Sequence, residues 1–137
     1  MRKLMGDKHY LSAAPQCPAP ATNPLKKLLE GTKLDMFFVQ YYNNPNCAFE
    51  GLEYNSSIVK WNEWAVNNET RFFMGLPADE SATTSGGYLG LDKMQVAVGE
   101  MMKKESFGGV MLWDASQAWG NRNYHAQVKN ILTKGLT

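Results

Sequence analysis

The stretch Met36–Cys47, MFFVQYYNNPNC, decides how this chain is read. It begins as an apolar, aromatic run of the kind that forms a buried strand, and it breaks at Asn43, Asn44 and Pro45. Side chains alternate across a pleated strand. Met36, Phe38, Gln40 and Tyr42 therefore share one face, and Phe37, Val39 and Tyr41 share the other. Gln40 and Tyr42 end an otherwise apolar face with two large polar groups. The C-terminal end of a parallel strand is where α/β sheets and barrels hold their ligands. On the residues alone, the same two side chains also fit satisfied polar groups of a core.

Three more strands flank this one. His9–Ala14 is ended by Pro15 and a proline-rich loop through Pro20, Arg71–Leu76 by Pro77, and Gly108–Trp113 carries two glycines at its start. Helical patterns lie between them. Leu25–Gly31 is opened by Asn23-Pro24 and stopped by its glycine. Ser57 reads as the N-cap of a helix to about Asn67, with Ile58, Trp61 and Ala65 at helical spacing. Leu91, Met94, Val98, Met101 and Met102 form a stripe, and Val128, Ile131 and Leu132 are the apolar side of a last helix, Tyr124–Leu132. The methionine stripe is core packing, since flexible thioethers fill irregular gaps. Four βα units with continuously apolar strands predict an α/β fold with a parallel sheet covered by helices. A small open sheet and half of an eightfold barrel both satisfy this order. Gly108 and Gly109 favour the barrel, because small residues relieve crowding inside a closed sheet.

The totals bound the function. At 137 residues the chain is one domain's worth, or a piece of a larger one. A net charge of +1 without a basic run gives no support to nucleic-acid binding. No apolar segment approaches membrane-spanning length, and the start, MRKLMGDKHY, lacks the apolar core of a signal peptide. Cys17 and Cys47 each follow a strand end. They are either two unrelated thiols or one disulfide tying neighbouring loops, as in a secreted protein. The sequons Asn55-Ser56-Ser57 and Asn68-Glu69-Thr70 point towards secretion as well. His9 and His125 are too isolated to predict a metal site, and no cofactor is expected.

Read together, five stretches resemble the C-terminal half of plant and fungal class III chitinases, in glycoside hydrolase family 18. They are YLSAAPQCP (Tyr10–Pro18), FVQYYNNPNC (Phe38–Cys47), FFMGLPA (Phe72–Ala78), SGGY (Ser85–Tyr88) and FGGVMLWDASQ (Phe107–Gln117). They stand in that family's order and approximate spacing and span nearly the entire chain. The resemblance implies a TIM (β/α)8 barrel of which residues 1–137 form the fifth to eighth units, a partial catalytic domain. It implies a Cys17–Cys47 disulfide, a secreted parent protein, and chitin or chito-oligosaccharides as ligand. Family members are similar in a substrate-assisted, retaining hydrolysis of β-1,4-linked N-acetylglucosamine, an exception to the two-carboxylate scheme. Carried over, Tyr42 would hold the acetamido group in line with Gln40 and Asn43 beside it. Trp113 would form the hydrophobic floor under the sugar, and Ala78 would give a backbone contact. On composition alone Trp113 reads as a core tryptophan. Asp114 is expected in a loop or structural role, because alternation turns it away from the face of Trp113; Asp79 and Glu80 read as a solvated pair.

The family's acid-bearing signature, Asp-x-x-Asp-x-Asp-x-Glu, does not occur in the sequence. Without the general acid this chain alone is expected not to hydrolyse chitin. A half barrel would leave sheet edges open near His9 and Gly108, and an inner face bearing Phe38, Met74 and Met111 without its filling. The expected completion is the missing N-terminal half or self-association. The alternative function is a catalytically silent, lectin-like chitin-oligosaccharide-binding protein or a glycosidase inhibitor.

Overall fold

The computed structural model describes residues 9–134, together with Leu4 and Gly6. In chain order the elements are β1 (Ser12–Ala13), α1 (Lys26–Gly31), β2 (Met36–Gln40), α2 (Tyr54–Asn67), β3 (Arg71–Pro77), α3 (Leu91–Met101), β4 (Phe107–Trp113), α4 (Ala115–Gly120) and α5 (Tyr124–Lys134). Short 3-10 turns stand at Pro20–Thr22 and Glu80–Ala82. The strands pair in sequence order, β1-β2-β3-β4, and every pairing is parallel. Parallel neighbours need a crossover, and α1, α2 and α3 supply one each.

Register sorts the side chains into two layers. Phe37, Val39 and Tyr41 lie with Phe72, Met74 and Leu76 under the helices, and all six are buried. Phe37 stacks on Phe72 at 5.3 Å and meets Trp61 of α2 at 5.1 Å. Each such side chain contributes about 1.5–3 kcal/mol by leaving water. On the opposite face Phe38 pairs with Phe73, which pairs in turn with Gly109, and Gln40 pairs with Gly75, which pairs with Met111. This face is only half-buried. Met74 therefore belongs to the helix-covered layer and Phe73 takes the inner position, because Phe38 opposes Phe73 and alternation sends Met74 the other way.

The structure departs from the sequence reading at three other places. β1 is two residues rather than six. The Leu11 N–H is taken at 2.6 Å by the Asp35 carboxylate, and Pro15 has no N–H to give; only a bridge from Gln16 to Gln40 continues the pairing. The second long helix starts at Tyr54, not at Ser57. Ser57 is buried inside it and donates to the Cys17 carbonyl at 2.6 Å, which Trp61 Nε1 also reaches at 3.1 Å. Finally, α4 was not anticipated; the Asp114 carboxylate caps it, accepting from the amides of Ser116 at 2.9 Å and Gln117 at 3.2 Å. Cys17 and Cys47 form a disulfide, Cα–Cα 5.8 Å, that joins the loops after β1 and β2.

Candidate functional site

The C-terminal strand ends open into a cleft of about 640 Å³, lined among others by Ala14, Gln40, Tyr42, Asn43, Met111 and Trp113. Gln40 at the end of β2, Tyr42 and Asn43 in the loop after it, and Trp113 at the end of β4 thus line one cleft, although β2 and β4 are not sheet neighbours. Trp113 stands opposite Pro77 in register and is 53% exposed, so much of its indole is free at the mouth of the cleft. Below it, Met111 lies over Gly75; a Cβ there would stand 2.9 Å from the methionine methyl.

Tyr42 is buried except where it meets the cleft, and among the described residues its hydroxyl has no hydrogen-bond partner. Burial raises its pKa above the usual phenol value, so at neutral pH the group keeps its proton and can donate. Its backbone is pressed by Gly87, where a Cβ would approach Tyr42 Cβ to 2.5 Å at a φ of +116°. Only glycine is accommodated there.

Asn43 has a left-handed φ of 57°. Its Oδ1 accepts from Thr83 Oγ1 at 2.6 Å, Thr84 N at 2.9 Å and Ser85 N at 3.0 Å, while its own N–H donates to the Gly86 carbonyl at 3.0 Å. The oxygen is thereby committed to the loop after β3. Only the amide nitrogen is left to serve a ligand.

Gln40 is bound on both sides. Its Nε2 donates to the Ala14 carbonyl at 2.6 Å, and its Oε1 accepts from Gln16 Nε2 at 3.4 Å. Asn44 Nδ2 in turn donates to Gln16 Oε1 and, at 3.4 Å, to the Tyr42 carbonyl.

Ala78 does not enter the cleft. It is fully buried; its N–H donates to the Trp113 carbonyl at 2.7 Å and its carbonyl accepts from Asn121 Nδ2 at 2.9 Å, so it ties β3 to β4 and α4. Asp114 borders the cleft, but its carboxylate serves α4 and the Ser116 hydroxyl. That hydroxyl, with the Gln117 amide, holds its pKa below the usual aspartate value. An ionised acceptor of this kind is no proton donor at neutral pH. Asp79 is engaged in the same way by Ser81, at 2.9 Å from its amide and 2.6 Å from its hydroxyl. Among the described residues no three His, Cys, Asp or Glu side chains are grouped to hold a metal. No described helix is long and apolar enough to cross a membrane. The cleft combines an aromatic surface, a phenol and fixed carboxamides. This set suits a flat ring with one apolar face and polar substituents at its edge.

No family model matches the chain. A class III chitinase from Arthroderma benhamiae is 36% identical over 136 residues, covering 92% of this chain and 41% of its own length. An acidic endochitinase from Cicer arietinum is 38% identical over 108 residues, covering 78% of this chain and 36% of its own. This chain is a homologue of the class III chitinases. Among solved structures, a xylanase and alpha-amylase inhibitor protein from Scadoxus multiflorus superimposes with a TM-score of 0.74 at 30% identity, over 93% of this chain and 46% of its own. A glycoside hydrolase family 18 chitinase from Pseudoalteromonas aurantia shares the fold, with a TM-score of 0.68 at 22% identity over 93% of this chain and 49% of its own. The chain spans about two fifths of the length of these curated relatives and about half of the solved ones.

In this class III chitinase homologue, Gln40, Tyr42, Asn43 and Trp113 line one cleft. Met111 was read as an inner-face residue, whereas Gln16, Asn44 and Gly87 were not singled out for the site. Two of these carried a signal: Gly86-Gly87 marks a position where backbone approaches backbone, and Gln16 lies between Pro15 and the disulfide-bonded Cys17.

Proposed function

We propose that this chain is the carbohydrate-binding, C-terminal half of a secreted endochitinase. In this reading its cleft holds N-acetylglucosamine units of chitin or chito-oligosaccharides, with Trp113 under the sugar ring. Tyr42 donates to the acetamido oxygen, keeping it in line for substrate-assisted, retaining attack on the anomeric carbon, and Gln40 and the Asn43 amide nitrogen hold polar groups beside it. The proton for the leaving oxygen comes from a glutamate of the Asp-x-x-Asp-x-Asp-x-Glu signature on a preceding half barrel, so the chain alone binds but does not cleave. The observation carrying this reading is the meeting, in one cleft, of a half-exposed Trp113 with a Tyr42 hydroxyl that has no hydrogen-bond partner among the described residues. The Cys17–Cys47 disulfide supports secretion.

Titration of the oxidised chain with tetra-N-acetylchitotetraose, followed by tryptophan fluorescence and calorimetry, tests it. Saturable binding is expected, with no hydrolysis products, and Trp113→Ala should weaken binding at least about tenfold, a stacking loss of the order of an aromatic pair or more. Equal affinity in Trp113→Ala, or turnover by the wild-type chain, overturns the reading. A second reading, a glycosidase-inhibitor role, draws on the likeness to the Scadoxus multiflorus inhibitor. Under that reading Trp113→Ala leaves inhibition of a target glycosidase unchanged.

A further inference from the structure

The carboxamides of Asn44, Gln16 and Gln40 form a directional chain, and its direction is set at both ends. A backbone carbonyl only accepts. The Ala14 carbonyl must therefore face Gln40 Nε2, which turns Gln40 Oε1 towards Gln16. Gln16 must then present Nε2 to Gln40 and Oε1 to Asn44, whose Nδ2 is placed against Gln16 Oε1 and the Tyr42 carbonyl. Turning over any one amide sets oxygen against oxygen or donor against donor at two contacts. Both supporting residues are also fixed in the chain: Gln16 adjoins Cys17 of the disulfide, and the Asn44 carbonyl accepts from Cys47 N at 3.1 Å and Ala48 N at 2.9 Å.

From this we infer that Gln16 and Asn44 are positioning residues that fix which face of the Gln40 carboxamide the cleft presents. With one N–H on Ala14 and one lone pair on Gln16, Gln40 keeps one N–H and one lone pair for the ligand. That donor–acceptor pair matches a sugar hydroxyl or an amide substituent, and its orientation cannot be reversed by a competing ligand without breaking the chain. The inference about the ligand rests on the carbohydrate-binding reading above; the orientation of Gln40 does not.

The decisive variant is Gln16→Glu, which keeps size and shape but can no longer donate to Gln40 Oε1. In the nitrogen-15-labelled, oxidised chain, the side-chain amide signals of Gln40 (assigned by their loss in Gln40→Ala) are expected to shift in Gln16→Glu while most backbone signals stay. Affinity for tetra-N-acetylchitotetraose should fall about three- to tenfold, the worth of one hydrogen bond. In a Gln40→Ala background the same change should have no further effect, because Gln16 acts through Gln40. Asn44→Asp, which removes the donor at the other end, should move the Gln40 signals in the same sense and serves if Gln16→Glu does not fold. Unmoved Gln40 signals in either folded variant, or an undiminished loss of affinity in the Gln40→Ala background, overturn the inference. A wild-type chain that binds no sugar but shows the amide shifts would sink the carbohydrate reading and leave the positioning role standing.

Discussion

At the scale of single residues, the cleft is held by contacts that a list of ligand-facing side chains does not contain. Tyr42 is placed from behind, by a glycine whose Cα lies against its own backbone, and Gly86 beside it is free of such contact although its φ is also positive. Gly87→Ala is therefore expected to destabilise the chain by about 2 kcal/mol or more and to weaken sugar binding, since something must shift to admit the methyl group. Gly86→Ala should cost only about 1 kcal/mol of backbone strain and leave the cleft intact. Chemical denaturation with paired sugar titrations checks both. Gln40, Tyr42 and Trp113 were legible through the family resemblance, since on the residues alone the first two also fit satisfied polar groups of a core and the third a core tryptophan. Ala78 was misplaced because a backbone contact leaves no mark on residue type: its amide and carbonyl were already used by Trp113 and Asn121.

At the scale of elements, the four parallel strands could be read from apolar runs that end at Pro15, Asn43, Pro77 and Asp114, and α3 and α5 from their stripes. α4 could not be read in the same way, since six residues hold too little periodicity to show a face. Its one local signature is the capping aspartate. The Ser116 hydroxyl, then the Gln117 and Ser116 amides, favour the charged form of Asp114 and lower its pKa in the folded chain. Such a group stabilises the fold at pH values above its unfolded pKa, and that contribution is lost as the pH falls through the lowered folded value. The amide signals of Ser116 and Gln117 are therefore expected to stay constant from neutral pH down through the ordinary aspartate range and to move only below it. Asp114→Asn, which retains a capping oxygen, should abolish that acid transition. A transition at the ordinary aspartate pKa would mean that the cap is not formed. Ser57 shows the reverse error. A serine before an apolar period looks like a cap, but here the helix has already begun at Tyr54, and the hydroxyl turns inward to the Cys17 carbonyl.

At the scale of the whole molecule, a four-stranded sheet in sequence order leaves β1 and β4 as outer strands, and it leaves Phe38 and Phe73 on a half-buried face opposite the one packed under α1, α2 and α3. The two outer strands are not equal. β4 contributes seven residues to the sheet, whereas β1 contributes two, and the loop after it is held by the disulfide, by the hydrogen bonds of Ser57 and Trp61 to Cys17, and by the bonds of Gln40 and Asn23 to the carbonyls of Ala14, Pro15, Gln16 and Pro18. By the chain-entropy model, closing a separation of 30 residues is worth about 3–4 kcal/mol. Reduction, or paired Cys17→Ser and Cys47→Ser substitution, should lower stability by about that amount in denaturant titration. The loss should also be uneven. Once the crosslink is open, the first strand can peel away while the other three stay zipped, so the molecule has a seam between β1 and β2. Hydrogen exchange would then quicken at Ser12–Gln16 and in the first turns of α1 without quickening in β3, and a protease offered the reduced chain would cut first on the N-terminal side of that seam. A cleft whose floor lies on β4 and whose amide chain begins at the seam would thus lose its polar side before its aromatic one.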